Sequence, residues 1–95
     1  MFSDRLKQLR ADKQIPQRQL AAALEIDTAT YCKIERGDRQ AKREQVLILA
    51  KLLNTNQEEL LNLWLADKVY YIVKDEKQAK TVLDIVQENI SEYGK

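Results

Sequence analysis

The chain of 95 residues is predicted to be all-α. Three observations carry that reading. Only two glycines and one proline interrupt it. Apolar residues recur at three- and four-residue spacing through most of its length, and β-branched residues never cluster in the alternation of a half-buried strand. Hydrophobic residues make up 44% of the chain, which suits one small globular core.

The first helix is expected from about Ser3 to Lys13, with Ser3 as N-cap and Leu6 and Leu9 facing inward. Leu20, Ala21 and Leu24 then lie at helical spacing, Glu25-Ile26-Asp27 interrupts, and Tyr31 and Ile34 resume the period. The second of these patterns ends at Gly37, a natural left-handed cap. Two helices with so little chain between them must cross steeply. Ala21 allows close approach at the crossing, and Ile26 is expected to tuck beneath it. Thr28, Ala29, Thr30, Cys32 and Lys33 are then expected to face solvent, a small, polar, uncharged-to-basic surface of the kind that fits a major groove.

A fourth helix, about Lys42 to Leu53, is expected to bury Val46, Leu47, Leu49, Ala50 and Leu53. Asn56 reads as the N-cap of a fifth, with Glu59 completing a capping box. Its apolar pattern runs from Leu60, Leu61, Leu63, Trp64 and Leu65 on through Val69, Tyr70, Ile72 and Val73. Asp75 reads as the cap of a last helix, about Glu76 to Glu92, with Ala79, Val82, Leu83, Val86 and Ile90 in a heptad-like stripe.

From about Leu6 to Leu61 the chain resembles the phage-repressor and Cro-type (Xre) helix-turn-helix family. The matching residues are Leu6, Leu9 and Arg10; Gln17, Leu20-Ala21 and Leu24; Ile26, Tyr31, Ile34, Glu35 and Gly37; and Leu49-Ala50, Leu53 and Leu60. Three positions depart from the family pattern. Glu25 stands where Gly is usual, Pro16 where Ser or Thr usually caps the helix, and Ala41 where Pro is usual after the recognition helix. The resemblance implies a compact five-helix, lambda-repressor-like head over residues 1–65, with residues 66–95 as a C-terminal helical extension.

It also implies roles for residues. Arg10 and Glu35 are expected to form a structural ion pair. Gln17, with Arg18 beside it, falls where the helix N-terminus meets a phosphate. Thr28, Ala29 and Lys33 match base-reading positions, flanked by Thr30 and Cys32; Lys can donate to guanine, and the Ala and Thr methyls can meet a thymine methyl. Thr28 can instead serve as the cap of the recognition helix. Arg36, Arg39, Lys42 and Arg43 fall where the family contacts the DNA backbone. Cys32 reads as a small inert residue, with a redox-sensing thiol as the alternative.

Composition narrows the function. There is no His and a single Cys, so zinc sites of the Cys/His type and His-based acid–base catalysis are excluded. No phosphate-binding Gly loop is present, and neither an enzyme nor a cofactor is expected. No apolar run approaches the roughly 20 residues of a membrane span, and the N-terminus lacks the pattern of a signal peptide. The net charge of +1 hides an asymmetry: residues 1–45 hold ten Lys/Arg against seven Asp/Glu, residues 46–95 six against eight. The expectation is a cytoplasmic transcriptional regulator that binds double-stranded DNA as a homodimer. Residues 66–95 either dimerise or complete the monomer's core. The competing class is a protein-interaction module, such as an antitoxin or a restriction–modification partner.

Overall fold

The computed structural model describes residues 1–93. Its six helices are α1 (Phe2–Asp12), α2 (Gln17–Ala23), α3 (Thr28–Arg36), α4 (Arg43–Leu52), α5 (Gln57–Val73) and α6 (Ala79–Tyr93). Among the described residues there is no strand.

α1 buries Phe2, Leu6 and Leu9 and begins two residues earlier than expected: Met1 precedes it, and Ser3 is a helical residue rather than its cap. Burial of Phe2 in the core draws the start of the helix back. α2 and α3 cross as the spacing required, with Ala21 only 2% exposed and Ile26 packed against the core. α4 buries Val46, Leu49 and Ala50, while Leu47 is only half-buried. The expected capping box at α5 is half made. Asn56 Oδ1 accepts from the Glu59 N–H at 2.9 Å, but the Glu59 carboxylate instead accepts from Arg5 Nε at 2.7 Å, tying α5 to α1.

Four helices end in the same device. At Gln14, Glu25, Gly37 and Asn54 the chain turns left-handed, with φ of 54°, 58°, 81° and 51°. The amide after each turn bonds back across six residues: Ile15 to Arg10 O, Ile26 to Ala21 O, Asp38 to Lys33 O and Thr55 to Ala50 O. This is the Schellman arrangement, which satisfies the last carbonyls of a helix. At Gly37 an added Cβ would also come within 3.3 Å of the Ser3 hydroxyl, so glycine fits there for two reasons.

One core holds α1 to α5, with Tyr31, Leu6, Leu20, Ile34, Leu49, Leu53, Leu60 and Val46 at its centre. α5 runs across residue 65 without a break. Trp64 closes one side of the core, and Asp67 Oδ2 accepts from the Phe2 N–H at 2.9 Å. α6 is different. It starts at Ala79, three residues later than the sequence suggested, after turns at Lys74–Asp75 and Lys77–Gln78, and the Ala79 N–H bonds the Glu76 carbonyl at 3.3 Å. Every residue from 80 to 91 is exposed, including Val82, Leu83, Val86 and Ile90. In the single chain the extension therefore does not complete the core beyond Val73. The side chain of Tyr93 and residues 94–95 lie outside the described residues.

Left-handed geometry costs a β-carbon-bearing residue about 1–2 kcal/mol, part of which glycine returns through unfolded-state entropy. Glu25→Gly is therefore expected to stabilise the protein by about 0.5–1 kcal/mol in chemical denaturation, and Glu25→Val to destabilise it.

Candidate nucleic-acid interface

The site begins with a clamp. Arg10 on α1 donates from Nε to Glu35 Oε2, and from Nη2 to Glu35 Oε1 at 3.2 Å. Its third nitrogen, Nη1, donates to the carbonyl of Ile15 at 2.9 Å. The Glu35 side chain is 1% exposed and that of Arg10 20%. Gln17 Nε2 adds a hydrogen bond to Glu35 Oε1 at 3.1 Å. One carboxylate at the end of α3 thus gathers α1, the connection after it and the first residue of α2. Burial pushes the Glu35 carboxyl up, but the donors of Arg10, Tyr31 and Gln17, with the Arg10 charge, outweigh it and hold the group below the usual carboxylate range. Beside it the buried Tyr31 hydroxyl lies close enough to act on the Glu35 carboxylate, although the contact falls short of a regular hydrogen bond. Burial and the neighbouring carboxylate raise its pKa, so it stays neutral.

The clamp fixes where α3 points. α3 starts on Asp27, whose Oδ1 accepts from the Thr30 N–H at 2.7 Å. Asp27, not Thr28, is the cap, and Thr28 becomes the first helical residue with its side chain exposed. An Asp immediately before a helical pattern is as strong a cap signal as Thr.

Thr28, Ala29 and Lys33 form an exposed strip along α3. Thr30 and Cys32 are half-buried instead of outward-facing. The Cys32 thiol turns inward and donates to Gln17 Oε1 at 3.0 Å. The Gln17 side chain is therefore engaged at both ends, on Cys32 and Glu35, while Arg18 next to it is exposed. Helical periodicity placed Cys32 correctly on its helix, but it could not show that α2 reaches across to cover it.

Around Gly37 the basic residues divide. Arg36 Nε lies 3.1 Å from Asp38 Oδ2 in an exposed pair. Arg39, Lys42 and Arg43 are exposed and have no ion-pair partner among the described residues. The Lys42 N–H donates to Gln45 Oε1 at 2.8 Å, which fixes the start of α4. Arg43 lies over the ring of Trp64, 5.2 Å from its centroid.

A family model described as a helix-turn-helix domain matches residues 2–63. The chain belongs to this family. No curated protein and no solved structure gives a match. The helix-turn-helix domain suggests a DNA-binding regulator, and the match covers α1 to α4 and the first turns of α5. Among the described residues, no group of acidic, Cys or His side chains is placed to hold a metal ion, and no helix is long and apolar enough to cross a membrane.

Breaking the clamp should be costly, because one buried charge is left without its partner. Glu35→Ala is expected to lose about 3–5 kcal/mol of stability. The paired Arg10→Met, Glu35→Leu change should recover much of that loss in the same denaturation experiment. The lowered pKa of Glu35 also sets a pH dependence. Its contribution is complete above the ordinary carboxylate value of about 4.3 and drains away as pH falls below it. The double variant should lack that part of the acid sensitivity.

Proposed function

We propose that the protein is a sequence-specific transcriptional regulator of the Xre type, with a lambda-repressor-like head that reads the major groove of double-stranded DNA through α3. One observation carries the reading. The exposed strip of Thr28, Ala29 and Lys33 leads into an exposed basic segment: the Arg39 N–H bonds the Lys33 carbonyl at 3.3 Å, and Arg39, Lys42 and Arg43 have no ion-pair partner among the described residues. The strip is small enough to enter a groove and carries donors, an acceptor and methyl groups for base edges. The cations beside it suit the phosphates on either side, where they position the helix without reading sequence. A protein-binding face at this place would instead expose aromatic or Leu anchors. The reading involves no catalytic step and no cofactor, and it places the protein in the cytoplasm.

Gln17 and Arg18 at the start of α2, with Arg36, complete the proposed backbone contacts. The Gln17 backbone amide lies at the positive end of α2. Its side chain keeps α2 joined to Glu35. Thr30 and Cys32 contribute to the contour of the recognition face rather than to base contacts.

The protein acts as a homodimer in this reading, with the extension of residues 66–95 as the dimerising element. Val82, Leu83, Val86 and Ile90 are between 39% and 60% exposed on one helix. A stripe of that length left in water is costly, and two heads held at about 34 Å would match successive half-sites.

Affinity for duplex DNA should fall steeply with salt. About four to eight phosphate contacts per dimer give a log–log slope of roughly −4 to −7. Binding that is unchanged between low and moderate salt would refute the reading. Lys33→Ala should cost about 1–3 kcal/mol at the preferred sequence and relax base preference there, while Arg43→Ala should weaken all sequences alike. Selection of bound sequences from random duplex DNA with each variant distinguishes the two effects. In solution the mass should be that of a dimer, and Val86→Lys should shift it towards the monomer.

A further inference from the structure

We propose that Lys68 on α5 is a further phosphate-contacting residue, and that Trp64 is the positioning residue that presents Lys68 and Arg43 together. The proposal rests on the DNA reading above. Trp64 is 7% exposed, and its indole N–H donates to the carbonyl of Ala41 at 2.7 Å. The ring is thereby tied to the segment that links α3 to α4. Arg39 and Ala41 line one shallow pocket with it.

Two cations use that ring. Arg43 at the start of α4 lies 5.2 Å from its centroid, and the Lys68 ammonium lies 4.2 Å from it. Lys68 follows Trp64 by four residues on the same helix, one turn on, so the contact is built into α5. Neither cation has an ion-pair partner among the described residues, whereas Arg5, Arg10 and Arg36 each have one. The neighbouring Asp67 is engaged with the Phe2 N–H.

The difference between an aromatic and an acidic partner decides what such a cation can do. A carboxylate neutralises a lysine and must be displaced before a phosphate can take its place. An aromatic face orients the ammonium and restricts its rotamers, yet leaves its full charge available. Trp64 thus holds two charges from two helices beside the basic segment after α3. The charge balance of residues 46–95 is acidic, which suits a surface turned away from DNA. Lys68 is the exception, and only the fold brings it to the basic side.

The test uses the full-length protein and a fluorescently labelled random-sequence duplex titrated over a salt series. Lys68→Gln should lower affinity by roughly five- to tenfold near 0.1 M salt and reduce the magnitude of the log–log slope by about one per protomer. Lys68→Arg should keep both, and so should Lys80→Gln, which removes an exposed charge from α6. Trp64→Phe retains a π face but loses the bond to Ala41, and should weaken binding in the same direction by less. If Lys68→Gln binds with the affinity and slope of the unaltered protein, Lys68 makes no phosphate contact and the proposal fails, while the DNA reading stands. If the unaltered protein shows no duplex binding, the DNA reading fails first.

Discussion

The buried carboxylate of Glu35 is the constraint on which the rest of the structure depends. It sits near the C-terminal end of α3, where the negative end of the helix dipole already disfavours an anion. It is tolerable there only because Arg10 grips it with two nitrogens and Gln17 adds a third donor. Those donors come from α1 and from the first turn of α2. Satisfying one charge therefore fixes the positions of three helices, and with them the direction of the exposed strip of α3. A well-packed apolar pair at this place could match its stability. It would not impose the same directional geometry.

The second determinant is the uniform way in which helices end. The turns after α1, α2, α3 and α4 are all left-handed, yet only one uses glycine. At Gln14 and Glu25 the fold accepts local strain, since the six-residue hydrogen bond and the packing of Ile15 and Ile26 offset it. Gly37 cannot be exchanged so cheaply, because α1 lies directly against it. Short, fixed turns keep the basic segment between Gly37 and Arg43 at a set distance from α3. Trp64 then buttresses that segment from α5.

Much of this was legible in the residues. The helix pair, its turn at Glu25-Ile26-Asp27, the clamp between Arg10 and Glu35 and the long α5 follow from spacing together with the family resemblance. The misses have local causes. Ser3 looked like a cap, but the burial of Phe2 outweighs that preference. Asp27 falls in the interruption between two helical patterns, yet its carboxylate is the cap of the second helix. Periodicity puts Cys32 on the outer face, but the burial of a side chain at a helix crossing depends on the partner helix, which periodicity within one element does not report. The bond between Trp64 and Ala41 spans 23 positions, and the placement of Lys68 follows from it; no local pattern encodes either.

In the proposed reading, the strip of α3 held in place by Glu35 is the surface that meets DNA. Amide chemical-shift mapping of the isotope-labelled full-length protein, titrated with duplex DNA, tests it most directly. The account predicts that the largest changes fall at Gln17 and Arg18, along Thr28 to Lys33, and from Arg39 to Arg43, with the core helices little altered. Changes concentrated on α6 with α3 unmoved would contradict it.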